Sequence, residues 1–364
     1  MQDSLFDDEE TPRDAPLKRA GKTAAKTAGV AGPKVRPAPV DPVQLELAET
    51  LPEGVHLGTS SWFFPGWSGL VWDGDYEQSV LSKHGLSAYA QHPLLRTVSL
   101  DRTFYRPISA SQFAAYAAQV PDDFRFVVKA PSLVADAMVR GEDGRGQQPN
   151  PAFLDPALAA AQFVQPAIDG LGHKIGALVF QLSPLPGSML AHLPDILERL
   201  RAMLAALPSL RDVAPQGVIA IEVRNPEFLT PAFADVLREA GATYCLGLHS
   251  KMPPIAEQLP LLRALWPGPL VCRWSLNRAH GAYGYEEAKT LYEPFNKLVD
   301  EDLETREALA RVIAGTTRAG HNALVTINNK AEGSAPLSVR ALAGAVAGVL
   351  GAPPVSSAAR AASA

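Results

Sequence analysis

The feature that most narrows the fold is a recurring unit of structure. Eight short apolar segments, His56 to Trp62, Thr97 to Phe104, Arg125 to Pro131, Ala177 to Pro184, Val218 to Asn225, Thr243 to Ser250, Leu270 to Leu276 and Ala323 to Lys330, alternate with stretches of helical period. Strand alternating with helix implies a parallel sheet with helical crossovers. The helices are legible as Ser109 to Val120 behind a serine cap, Asp155 to Leu171, Leu190 to Leu207, Pro231 to Ala240 and Ser338 to Leu350. The stretch from Tyr285 to Ala319 is long enough for one extended helix or a broken pair. Eight such units predict one α/β domain, a closed (β/α)8 TIM-barrel-like fold over residues 50–350. An open doubly wound sheet would have about six strands and a glycine-rich turn after the first.

The fifth strand shows how the faces are used. In Val218-Ile219-Ala220-Ile221-Glu222-Val223-Arg224, residues two apart share a face, so Glu222 and Arg224 point with Val218 and Ala220. Ile219, Ile221 and Val223 point the other way, toward covering helices. Charges therefore gather where the strand opens at its C-terminal end. The same happens elsewhere: Asp101, Lys129, Gln181, His249, Arg273 and the pair Asn328 and Asn329 stand at the ends of other strands. In a barrel these ends meet at one mouth, which is where barrel sites are built.

Composition bounds the alternatives. The chain has 364 residues, 47% hydrophobic content, a net charge of −5 and two cysteines, Cys245 and Cys272. An acidic balance does not suit a surface built for nucleic acid, so nucleic acid is not an expected partner. Two cysteines give no disulfide framework, and no apolar run is long enough for a bilayer, which together predict a cytoplasmic protein with no membrane contact. Gly58-Thr59-Ser60-Ser61 lacks the further glycines of a dinucleotide fingerprint, and no Walker-type loop, Gly-x-Ser-x-Gly elbow or His-Glu-x-x-His pair is present. No cofactor is expected.

Residues 1–45 run from an acidic patch into a Lys/Ala/Pro segment without apolar periodicity and are expected to be a disordered tail, as are the Ala/Ser-rich residues 351–364. The peptide around Gln2, Leu5 and Phe6 is similar to the motif by which bacterial DNA-processing proteins contact the sliding clamp. It supplies an alternative reading, a DNA-associated or nuclease-like barrel recruited through its N-terminus.

Further motifs carry a family resemblance. Gly58-Thr59-Ser60-Ser61-Trp62 with Pro65-Gly66-Trp67, Thr103-Phe104-Tyr105-Arg106, the run from Asp122 to Pro131, Phe180-Gln181-Leu182, Glu222-Val223-Arg224-Asn225-Pro226 and Asn328-Asn329 together resemble the YecE-like proteins, domain of unknown function 72. The likeness spans roughly residues 55 to 350, in order. It implies a TIM-barrel-like fold. The chain departs from the family pattern at Ser99 and Asp101, where members carry a Glu-x-Asn pair, and at Glu227-Phe228, where they carry Ser-Trp.

For the mouth, Lys129, Arg224 and Arg273 stand against Asp101 and Glu222, a slightly cationic balance suited to a small anionic substrate, phosphorylated or sugar-like. Glu222 is the expected general acid or base, with Asp101 as its opposite and Lys129 stabilising negative charge, in a hydrolase, lyase or isomerase reaction. Gln181, Arg224, Arg273, His249, Asn328 and Asn329 are expected to bind substrate, with Trp62 and Tyr105, among aromatics that include Phe63, Phe64, Trp67 and Tyr283, as a stacking wall. Asp101, Glu222 and His249 could also ligate a metal, but the other seven histidines lie away from the mouth, so no metal is expected. The loop from Asn328 to Pro336, with Gly333, Ser334 and Lys330, is a candidate phosphate cradle.

Overall fold

A computed structural model describes residues 34–141, 146–281 and 284–351. Its barrel strands are β1 (Val55–Thr59), β2 (Thr97–Leu100), β3 (Arg125–Lys129), β6 (Ile175–Gln181), β7 (Val218–Glu222), β8 (Thr243–Leu248), β9 (Leu270–Trp274) and β10 (Ala323–Ile327). Between β3 and β6 a small antiparallel hairpin, β4 (Met138–Arg140) with β5 (Gly146–Pro149), was not expected. The eight barrel strands close in the order β1-β10-β9-β8-β7-β6-β3-β2, and every pairing is parallel. The expected fold and its eight strands are thus present. Each expected strand ran past the observed C-terminal end, because the ladder stops where the polar residues begin and the chain turns into loops.

Two layers of core follow from the period of two. Val127, Ala177, Val179, Val218, Ala220, Cys245, Val271 and Leu324 form a packed cluster inside the barrel. Ile221 and Val223 from the opposite face of β7 join the much larger cluster between sheet and helices. Both cysteines are free and buried.

The helices start where local chemistry says they should. Ser109 accepts from the Gln112 amide and Gln112 returns the bond, a capping box for Ala110–Ala117; Thr230 caps Pro231–Glu239 and Asp302 caps Leu303–Arg318. The long stretch after β9 is a broken pair, Tyr285–Tyr292 and Leu303–Arg318, with Pro294 in the gap where a helical amide would be needed.

The N-terminal boundary differs from expectation. Residues 34–45 were assigned to the tail, yet Val35 is buried, Pro37 bridges to Trp72, and Asp41 caps a helix, Pro42–Thr50. Asp41 also pairs with Arg340 at 3.3 Å. The helix buries no residue fully and rests Leu47 and Ala48 on the core, so its sequence carries little apolar period. Residues 1–33, including Gln2, Leu5 and Phe6, and residues 352–364 lie outside the described residues, as does Tyr283. Among the described residues no helix is long and apolar enough to cross a membrane.

Candidate active site at the barrel mouth

Register places the polar strand ends at one level. Gln181 pairs with Glu222 across β6 and β7, and Gly247 pairs with Arg273 across β8 and β9. Arg273 is the hub. Its Nη1 donates to Glu222 Oε2 at 2.7 Å and to Gln181 Oε1 at 2.9 Å, and its Nη2 donates to Asp101 Oδ2 at 2.7 Å. Ser99 Oγ donates to the other Asp101 oxygen at 2.6 Å. Arg224 Nη2 donates to Gln181 Oε1 at 3.2 Å. It also lies 2.8 Å from Glu222 Oε1, an ionic contact without hydrogen-bond alignment, because Oε1 has no aligned donor.

This cluster is almost dry. Glu222 is 0% exposed, Arg273 4%, Gln181 5% and Arg224 8%. Burial alone would push the Glu222 carboxyl up, but Arg224 and Arg273, with Lys129 behind them, outweigh it and hold the group below its ordinary value. For Arg273 burial works against the charge and the Asp101 and Glu222 carboxylates more than restore it. Glu222 and Arg273 are therefore both charged. Arg224 Nη1 and Arg273 Nε remain buried with no hydrogen-bond partner among the described residues. An unpaired buried charge-bearing donor costs about 1–3 kcal/mol or more.

Lys129 reaches the same mouth from β3. Its Nζ lies 3.8 Å from the centroid of the Phe104 ring, and its carbonyl accepts from Thr103 at 2.5 Å. His249 follows β8; it is buried and its ring stands 5.5 Å from that of Tyr285. Lys330 Nζ lies 5.1 Å from the other participant, the Tyr285 ring.

Other expected site residues are placed elsewhere. Trp62 is 2% exposed, gives its indole N–H to the Leu81 carbonyl at 3.1 Å and packs edge-on against Phe63 and Tyr116, so it belongs to the core and not to a stacking wall. Trp67 is likewise sealed, against Phe64 and Trp72. Tyr105 is exposed, edge-on to Phe104. Asn328 accepts from the Lys330 amide in a local turn. Asn329 Oδ1 accepts from Trp67 Nε1 at 3.2 Å and from the Ala335 amide at 2.9 Å, so it latches the first loop to the start of the last helix, Ala335–Gly351.

In the loop expected to cradle a phosphate, Asn329 takes the Ala335 helix amide and the Gly333 amide donates to the Asn329 carbonyl. Glu332, wholly buried, accepts from Arg306 Nη2 at 2.6 Å and from the Asp302 amide at 2.8 Å, which ties the loop to the start of the Leu303–Arg318 helix.

Sequence reasoning passed over Ser99 as an orienting group for Asp101, and Gly247, whose missing side chain leaves room beside Glu222: a Cβ there would stand 3.4 Å from Glu222 Oε1. A glycine inside an apolar strand was the available signal. Among the described residues no group of three or more His, Cys, Asp and Glu is arranged to hold a metal ion; both oxygens of Glu222 and Oδ2 of Asp101 face guanidinium groups instead.

A family model described as protein of unknown function DUF72 matches residues 56–359. No curated protein matches the chain. Among solved structures, a DUF72 family protein from Enterococcus faecalis V583 shares 18% identity, covering 80% of this chain and 95% of that one, with a TM-score of 0.51. Another, from Thermotoga maritima MSB8, shares 20% identity, covering 78% of this chain and 96% of that one, with a TM-score of 0.48. At such identity the first of these likenesses speaks for the fold alone.

Proposed function

The chain belongs to the DUF72 family of proteins of unknown function, and from that premise we propose that its barrel mouth binds a small anionic molecule, phosphorylated or sugar-like, and carries out acid/base chemistry on it. The observation that carries this reading is the buried Arg224 guanidinium, whose Nη1 has no hydrogen-bond partner among the described residues while its Nη2 is shared between Gln181 and Glu222. Cations exceed carboxylates in the cluster, Lys129, Arg224 and Arg273 against Asp101 and Glu222, in a site too dry for solvent to screen them. A buried ion network contributes little net stability, which favours a ligand-binding purpose for this one.

Roles follow from environment. Glu222, held ionised between two guanidinium groups, has no proton to give near neutral pH and orients Arg224 and Arg273 for the anion. The acid/base part assigned to Glu222 on sequence grounds passes to Asp101, whose side chain is 12% exposed against 0% for Glu222 and is steered by Ser99. Lys129 stabilises negative charge developing on the substrate. Hydrolase, lyase and isomerase reactions all use such a set.

A thermal-shift screen against sugar phosphates, sugar acids, nucleotides and simple organic acids tests the reading. A ligand at a hundred times its dissociation constant adds about 2.7 kcal/mol of stability. Stabilisation by an anionic class, lost in Arg224→Ala, is the expected result. Stabilisation by neutral compounds alone, or retained in full by Arg224→Ala, would defeat it.

A further inference from the structure

His249 stands outside the ion cluster, and its geometry defines it further. It lies one residue past β8, two beyond Gly247, on the face that looks into the barrel. The Lys251 amide donates to its Nδ1 at 3.0 Å. A ring nitrogen that accepts carries no hydrogen, so the neutral imidazole holds its one proton on Nε2. Nε2 makes no hydrogen bond within the described residues, yet it is not among the side-chain atoms sealed from solvent without a partner. The N–H therefore opens on the mouth.

The surroundings keep the ring neutral. Its charged neighbours are cations, Arg224 beside the end of β7 and Lys251 on its own loop, and the face toward the Tyr285–Tyr292 helix meets the Tyr285 ring. Burial first, then Arg224 and Lys251, push the imidazole down to about 2.

Resting on the anion-binding reading above, we propose that His249 is a fixed neutral hydrogen-bond donor whose Nε2–H receives an uncharged oxygen of the ligand, a carbonyl or hydroxyl next to the anionic group. The ligand is then a 2-oxo or 2-hydroxy acid, or a phosphorylated equivalent, and not a plain anion. Arg224 takes the charge and His249 the neighbouring oxygen, which it polarises without ever becoming an imidazolium. Specificity arises because a ligand lacking that oxygen leaves a desolvated donor unpaired.

The first experiment is nitrogen-15 NMR of the histidine rings in the full chain, with His249 assigned by its loss in His249→Gln. The Nε2–H pattern, unchanged from about pH 8 to about pH 5, is expected; a proton on Nδ1, or a midpoint near the ordinary value of about 6.5, overturns the proposal. The second is calorimetric titration with matched pairs, propionate against lactate and pyruvate, and succinate against malate. The member bearing the extra oxygen should bind about tenfold more tightly, an advantage abolished in His249→Phe and partly kept in His249→Asn. Equal binding within each pair overturns the donor role while the anion site stands. Silence from every acid and from inorganic phosphate removes the anion reading itself, and this inference with it. Should His249→Gln fail to fold, the ring is assigned in the native chain through its contact with the Tyr285 ring, so the donor assignment stays testable.

Discussion

Two carboxylates among the described residues are 0% exposed, Glu222 in the mouth and Glu332 in the last loop, and although burial raises both, their net shifts run in opposite directions. Glu222 faces Arg224 and Arg273 and is held below its ordinary value of 4.5; Glu332 faces the Ser338 side chain, the Asp302 amide and one guanidinium, that of Arg306, and burial still pushes it above that value. Arg306 is also divided, with its Nη1 turned to Glu301 at 3.1 Å. The difference teaches what each cluster is for. The last loop uses just enough positive charge to fasten itself to the Leu303–Arg318 helix, whereas the mouth gathers more than its carboxylates need. A surplus of buried cation has a destabilising cost, which on the reading proposed above an anion from outside offsets.

The comparison breaks most readily at Arg273. Arg273→Ala leaves Glu222, Asp101 and Gln181 without their common donor and should cost about 3–5 kcal/mol in denaturant unfolding. A loss below about 1 kcal/mol would mean that the mouth cluster is not the dry network described. Next in size is Gly333→Ala in the other loop. Gly333 sits at φ +114°, and an added Cβ would come within 2.6 Å of the Lys297 carbonyl oxygen and 2.9 Å of the Val299 nitrogen. The combined strain and overpacking should cost roughly 2–4 kcal/mol by the same measurement.

Glutamine substitutions then sharpen the contrast in sign. A carboxylate with a lowered folded value contributes stability that is present above its unfolded value and lost as pH falls through the folded one. Glu222 is that case, so Glu222→Gln should destabilise by about 1–3 kcal/mol at neutral pH, and the deficit should shrink below about pH 4.5 as the wild type loses the same contribution. Glu332 is the reverse case: its raised folded value means a burial penalty above that pH, relieved as protons bind. Glu332→Gln should lie within about 1 kcal/mol of wild type or above it at neutral pH, and it should miss the gain that acid gives the wild type. Stability curves measured from neutral to acid pH decide the matter; the same trend in both variants would erase the distinction. The smallest effect is Gly247→Ala, whose Cβ would meet Glu222 at an ordinary contact distance of 3.4 Å. Stability should move by no more than about 0.5–1 kcal/mol. A larger loss would show the space beside Glu222 to be tighter than the geometry describes.

Much of this was legible beforehand. Period-two faces such as Ile221 and Val223 against Val218 and Ala220 located all eight strands, and Ser109 marked a helix start through a local hydrogen bond that needs no tertiary context. Of the mouth residues, Asp101, Gln181, Glu222, Arg224 and Arg273 do converge. The polar atoms of Trp62 and Asn329 could serve a ligand or the chain equally well, and the bonds to the Leu81 carbonyl and the Trp67 indole that occupy them come from partners the sequence does not place nearby. The helix Pro42–Thr50 was missed because so little of it is buried.

The sequence by itself determined the barrel, since alternation of apolar period is a local property and a parallel sheet of eight crossovers has few ways to close. It also determined which chemical groups would arrive at the mouth. What only the tertiary structure decided was their state: that Glu222 is ionised, that Arg273 bridges two carboxylates, that Glu332 ties the last loop to Arg306, and that the imidazole of His249 accepts on Nδ1. Charge state and tautomer depend on desolvation and on partners remote in sequence, such as Asp101 and Arg273 at 2.7 Å, and those distances exist only once the barrel has closed.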